Sequence, residues 1–369
     1  GGQYPKPEES EMRGLCVLAA LCLLLSGCDS LPYPREMGDM ALLRTMGVDR
    51  DGDALVVTAS TGPRARGLQG EGMPSLVLSA RQQSLSAACL AMQGLSDNYV
   101  FFGYVDQLLL GEELASQGIV PVLDYFARDV ELGLGARLWL VKGETAGEVV
   151  RAGGEQGVDS RLTTLQADGE MGAALMTRTA GEVFSDLLEW GCAYAPALSA
   201  GTGEESPLME RGYGILRDGA LVGVLEGEEA RGLELLAGRP PADILEERLE
   251  GNRVSVRTTG CTVLCTLSRE GEQTPELELR CRLEARPVEY ERPLGEAEME
   301  ELGRRIGRRQ ALRIRQAMER LRGWGTDCTG LGPKAALSNP GLWEGQKDNW
   351  DQIFSQLEYR VSVKVSMYE

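Results

Sequence analysis

One cysteine stands where its chemistry can be read from its neighbours. Cys28 closes the run Leu25-Ser26-Gly27-Cys28, directly behind an uncharged apolar stretch from Gly14 to Leu25. Small side chains at Ser26 and Gly27 let an extended backbone enter a peptidase groove, and the Cys28 thiol is then the acceptor for lipid. The apolar stretch has the length of an export signal and falls well short of the ~20 residues a spanning helix needs. This spacing predicts a lipobox of bacterial type, cut before Cys28, with diacylglyceryl lipid and a fatty acyl chain such as palmitate on the cysteine. The plain alternative is a buried helix ending in Gly-Cys, but a core helix rarely lacks a polar face altogether. Residues 1–27 are therefore expected to be an upstream flank and signal peptide. Gly1 to Glu11 is acidic and polar, and Met12-Arg13 makes the expected start.

Two acyl chains on one cysteine anchor stably, because each buried CH₂ contributes ~0.8 kcal/mol and one chain alone is marginal. The tether, residues 28–34, spans at most ~25 Å and is stiffened by Pro32 and Pro34. The body behind it is thus expected to work close to a membrane surface.

Beyond Cys28 the chain offers little catalytic equipment. It contains no histidine, which removes the commonest general base, the commonest zinc ligand and every Ser-His or Cys-His dyad. No phosphate-binding glycine loop, nucleophile elbow or zinc-protease motif is present, so no cofactor is expected. Asp49, Asp51 and Asp53 superficially resemble a calcium loop, but the glycine is misplaced and the twelfth residue is Ser60, so a hairpin turn at Asp51-Gly52 is expected instead. A formal charge of −18 argues against nucleic acid as a partner. Cys89, Cys192, Cys261, Cys265, Cys281 and Cys328 form no Cys-x-x-Cys pair; Cys261 and Cys265 share one face of a strand and can approach Cys281. Buried thiols are favoured over a disulfide among them.

The elements that must carry these residues alternate. A short helical entry is expected over Arg35 to Leu43, then a hairpin through Ala54 to Thr58. Helices are expected over Ser84 to Gln93, around Glu112 to Gln117, and from Pro121 to Arg128; strands over Tyr99 to Leu110 and Arg137 to Lys142. This gives an α/β first domain over 35–200. The polar Gly201 to Pro207 segment is expected to be a linker. A small middle domain over 201–250 follows, with a hairpin from Tyr213 to Leu225 and a helix from Glu228 to Leu236. Residues 251–369 form the last domain: strands at Val254 to Arg257, Cys261 to Ser268 and Glu276 to Glu289, a helix from Leu294 to Arg322, and a terminal strand from Leu357 to Met367. The expected class is α+β, three consecutive mixed domains, the C-terminal one an antiparallel sheet with a long helix. That helix opens with four glutamates and carries eight arginines between Arg304 and Arg322. Acids first and bases last suit the helix dipole, so a solvated face is expected, with contact to anionic lipid or an acidic partner as the sharper alternative.

The order of short motifs behind the lipobox resembles the Ger(x)C family, the C-subunit lipoproteins of spore germinant receptors. The resemblance runs through Arg35-Glu36, Gly47-Val48-Asp49, Gly111 to Ile119, Arg128-Asp129 and Val141-Lys142-Gly143. It continues in Asp218, Gly223, Leu225, Glu228 to Gly232 with Arg231, then in Asp327, Gly330, Gly332, Pro340, Trp343, Asn349, Trp350 and Asp351. Asp29 stands where the family usually has Trp, and Cys328-Thr329 intervenes between Asp327 and Gly330. For Trp343 and Trp350, seven residues apart, packing on one helix face is expected over a partner contact.

The resemblance implies a non-enzymatic subunit, held by lipid on the outer surface of the spore inner membrane beside integral-membrane subunits of types A and B. The rivals are a solute-binding lipoprotein of an import system, which needs a cleft with a tight small ligand, and an exported hydrolase, which the missing histidine disfavours.

Overall fold

The computed structural model describes residues 40–63, 73–203, 206–239, 242–269 and 275–368. Leu25, Ser26, Gly27, Cys28, Arg35 and Glu36 lie outside the described residues.

Met40–Leu42 (β1) is a strand, not the end of a helical entry. Ala41 and Leu43 are fully buried while Leu42 between them is not, a period of two that suits an extended chain. Thr45–Asp51 (β2) and Ala54–Ser60 (β3) form the expected hairpin, with Gly52 at φ +60° in its turn. Val77–Gln82 (β4) pairs with β3, and Leu85–Gln93 (α1) follows with Ser84 accepting from the Ala87 N–H as its cap. The apolar run expected as one strand over 99–110 is two, Tyr99–Phe101 (β5) and Gln107–Gly111 (β6), because the chain turns where Val105 N–H bonds Phe102 C=O.

Glu112–Gln117 (α2), Val120–Arg128 (α3) with Pro121 in its first turn, and Arg137–Val141 (β7) fall where expected. Ala146–Ala152 (α4), Asp159–Glu170 (α5) and Ala180–Trp190 (α6) come next. Cys192–Gly203 (β8), Ser206–Arg217 (β9) and Ala220–Leu225 (β10) complete an eight-stranded sheet of order β10-β9-β8-β7-β6-β2-β3-β4. Its centre, β2-β6-β7-β8, is parallel, with antiparallel hairpins at both ends. Every residue of β6 is buried, as parallel strands covered on both faces require. Leu108 and Leu110 face a core shared with α1, α2, α3 and α6. Leu109 faces the opposite core, with α4 and α5.

Of the segment expected to be a linker, residues 201–203 and 206–207 belong instead to strands β8 and β9, which pair as far as Gly203 with Ser206. The sheet therefore crosses the expected 200/201 boundary. Ladder hydrogen bonds satisfy this backbone where a linker would leave it to water.

Gly227–Ala237 (α7) leads to a second sheet: Asp243–Leu249 (β11), Asn252–Ser268 (β12) and Glu276–Tyr290 (β13), all antiparallel. The two strands expected at 254–257 and 261–268 are one, irregular between Thr258 and Gly260. Glu296–Trp324 (α8), 29 residues, lies on this sheet. Leu331–Ala336 (α9), Pro340–Glu344 (α10) and Trp350–Gln356 (α11) follow, and Glu358–Met367 (β14) joins β13 in parallel. The parallel pairing follows from the helical crossover between the two strands. The class observed is the expected mixed α+β. One core draws Tyr213 and Leu225 of the first sheet together with α7, α8 and the second sheet, and residues from Ala41 onward fold as one compact unit.

Candidate functional site

Helix α8 stops at Gly325, whose φ of +62° is open to glycine. The chain then turns through Thr326 to Gly330 into α9, and Asp327 lies inside that turn, 4% exposed. Its carboxylate accepts from Leu331 N (2.8 Å), Gly332 N (2.7 Å) and Trp350 Nε1 (2.9 Å). One acid thus ties the start of α9 to α11. Burial pushes the Asp327 carboxyl above its usual range, while the two backbone N–H groups and the indole pull it back.

The rings of Trp343 and Trp350 meet edge to face at 5.1 Å, and Trp350 also packs on Phe354. The two tryptophans sit on separate helices, α10 and α11, not on one helix face; the turn at Lys347–Asn349 breaks the helix between them. A Cβ on Gly332 would stand 2.5 to 2.6 Å from both rings, so only glycine lets α9 approach them. Gly330, at φ +67°, supplies the left-handed residue that starts α9. The structure therefore gathers Asp327, Gly330, Trp343 and Trp350.

Gly223 lies on β10, where a Cβ would meet the Trp324 ring at 2.3 Å. It lets the end of α8 close on the first sheet, three residues before Asp327. Arg231 stands apart. On α7 it donates to Glu234 (2.9 Å), whose other oxygen accepts from Tyr213 O–H (2.8 Å), while Tyr213 Oη accepts from Met176 N–H (2.7 Å). Glu234 is 1% exposed; burial pushes its carboxyl up, and Arg231 and Tyr213 partly offset this.

Three further joints were not foreseen. Asp49 of β2 accepts from Ala146 N (2.7 Å) and Gly147 N (2.8 Å), holding the N-terminus of α4. Arg313, buried on α8, pairs with Glu228 of α7 and Asp243 of β11. Arg178 bonds Asp186 (2.7 Å) and lies over the Tyr194 ring. A signal existed for the second: an arginine inside the apolar stripe of a helix whose other arginines are not. Those others are largely matched by neighbours, Arg304, Arg305 and Arg308 by Glu301, Arg309 by Glu247, and Arg320 by Glu229.

Beside the Asp327 turn opens a half-open cleft of about 580 Å³, lined by Trp190, Cys192, Asp327, Trp343, Trp350 and Asp351 among others. Burial pushes the Cys192 thiol up, and Cys328 likewise, and Cys192 Sγ already donates to Asp327 C=O at 3.3 Å. The six described cysteines are free thiols, with Cys261 and Cys281 3.0 Å apart on one sheet face. Among the described residues no cluster of acids and cysteines could hold a metal ion, and no helix is long and apolar enough to cross a membrane.

Two mixed sheets tied together by buried polar joints make up the body of the chain. Residues 34–200 match the spore germination protein N-terminal domain, and residues 211–369 match the spore germination B3/GerAC-like C-terminal domain. The chain belongs to this family, the Ger(x)C proteins of germinant receptors. It is 20% identical over 362 residues to spore germination protein B3 of Bacillus subtilis (strain 168), covering 94% of this chain and 95% of that one. Its fold is similar to a crystal structure of the GerBC protein, with a TM-score of 0.59 at 16% identity, over 88% of this chain and 97% of that one.

Proposed function

We propose that this chain is the lipid-anchored C-type subunit of a spore germinant receptor, acting without catalysis on the outer surface of the spore inner membrane. Its partners are integral-membrane subunits of types A and B, and its part is to hold a rigid body beside them so that nutrient sensing triggers germination. The observation that carries this is order. A lipobox ending at Cys28 stands directly before the two family domains at 34–200 and 211–369. Diacylglyceryl lipid on Cys28 raises the effective concentration of the body for membrane partners without any new contact. Gly223, Arg231, Asp327, Gly330, Trp343 and Trp350 serve in this reading as supports of that body.

The test is Cys28→Ala, scored by membrane retention in spores and by germination response. Loss of both is expected. Full membrane retention by the Cys28→Ala chain would contradict the lipid tether, and its continued pull-down of multi-spanning subunits would place the association in the body instead.

A further inference from the structure

Four exposed apolar side chains surround the strand that receives the incoming chain. Leu90, 74% exposed, points outward from α1, whose Leu85, Ala88 and Met92 face the core. Val130, 98% exposed, follows α3, and with Leu90 it borders one hollow of about 220 Å³. Leu95, 56% exposed, lies in the turn from α1 to β5, and Tyr104, 50% exposed, sets its ring edge against Phe101 of β5. The setting is rigid. Gln93 bonds both the N–H and the C=O of Val100, and Glu131 accepts from Phe102 N–H and Tyr99 O–H. β1 pairs with this same β5, and Leu43 N–H bonds Phe101 C=O at 3.0 Å.

We propose that Leu90, Leu95, Tyr104 and Val130 form the membrane-facing surface of the body, entering the headgroup–acyl boundary of the phospholipid bilayer. The proposal rests on the lipid reading of Cys28 for its geometry. From Cys28 to Ala41 the chain spans at most ~45 Å, while a body of this length has a radius of gyration of ~20 Å. The side on which the tether enters is therefore the side held against the bilayer. Leucine and valine fit the outer acyl region and tyrosine fits the headgroup level. Asp129 and Glu131 line the same hollow, and the chain carries −18 overall. Contact is thus by apolar insertion, and anionic lipid weakens it.

The experiment compares four full chains: the lipidated protein, Cys28→Ala, and each of these with Leu90→Ser and Val130→Ser. Flotation uses phosphatidylcholine vesicles with and without phosphatidylglycerol, and hydrogen exchange follows residues 94–106 and 129–132. The Cys28→Ala chain is expected to float weakly on phosphatidylcholine and about tenfold less with both serines, from the apolar area removed. Phosphatidylglycerol is expected to reduce flotation. In the lipidated chain those amides are expected to exchange more slowly on vesicles than in solution. Bound, lipidated chains whose amides exchange at the solution rate overturn the proposal. Protection that appears only with integral-membrane subunits also overturns it, since it assigns the patch to a protein. Equal flotation of the lipidated and Cys28→Ala chains sinks the tether alone, and the serine variants still decide the patch.

Discussion

Asp327→Ala is the substitution with the most to say about how the body is held. It strips the acceptor from three buried donors, Leu331 N, Gly332 N and Trp350 Nε1, at 2.7 to 2.9 Å. Each donor left without a partner costs ~1–3 kcal/mol, so ~6 kcal/mol is at stake in all. Against this, the wild-type carboxylate is itself buried, and a neutral side chain recovers ~2 kcal/mol of that desolvation. Asp327→Ala is therefore expected to cost ~4 kcal/mol. Asp327→Asn, which keeps one acceptor oxygen but turns an amide toward a donor, should cost about half as much. Urea unfolding of the Cys28→Ala chain, followed by tryptophan fluorescence and by circular dichroism, measures both. With a slope of ~3 kcal/mol per molar, the alanine midpoint falls by ~1.3 M. A midpoint within ~0.3 M of the parent would refute the argument, because the three donors would then have found other partners.

Gly332→Ala should destabilise by ~1–3 kcal/mol, as its Cβ must displace the rings of Trp343 and Trp350; unchanged fluorescence and stability would show that the rings give way freely. Glu228, whose pKa is lowered by its hydrogen bonds to Arg313, binds fewer protons folded than unfolded. Its contribution is therefore present above the ordinary glutamate range and is lost as pH falls through its lowered folded value. Glu228→Gln should cost up to ~1 kcal/mol at pH 7 in low salt, the exposure of Glu228 limiting it, and nothing in acid; a cost that persists in acid argues against the ion pair. Glu234 has the opposite sign, its folded pKa being raised by burial, so its contribution falls as pH rises from the unfolded to the folded value. Stability curves of Glu234→Gln should lack that fall, and an unaltered slope would exclude Glu234 as its source.

Much of the fold is legible because it is local. Alternation and Asp-Gly turns mark the hairpins at Asp51-Gly52 and Asp218-Gly219, and a stripe at helical spacing marks α8. Two helices left unmarked had a usable signal: Thr145-Ala-Gly-Glu148 and Thr179-Ala-Gly-Glu182 are both capping boxes, opening α4 and α6. Other misses are physical. The run Tyr99 to Leu110 stays largely apolar through its turn, where Tyr104 is exposed, so periodicity cannot show the break between β5 and β6. The polar residues after Ala200 resemble a linker because hairpin tips and linkers share turn-forming composition. In the Asp327 joint, the motif was visible, but its partners lie four, five and 23 residues away on other elements, and only packing brings them together.

The joints also explain why the family boundary and the structural boundary differ. The two family domains meet between 200 and 211, inside a hairpin whose strands are paired in one sheet. Past that hairpin, the first sheet is tied to the later elements at two places, and a further joint fixes those later elements among themselves. Arg231–Glu234–Tyr213 joins α7 to β9 and to the segment before α6, Arg313 joins α8 to α7 and β11, and Gly223 seats Trp324 on β10. Apolar packing could supply comparable stability in several arrangements, whereas a buried arginine between two carboxylates is satisfied in few. Such contacts select one geometry between the sheets more than they deepen the minimum. On the lipid-tethered reading proposed above, presenting a fixed surface at a fixed distance from a membrane needs that selectivity, and a freely hinged pair of domains would forfeit it.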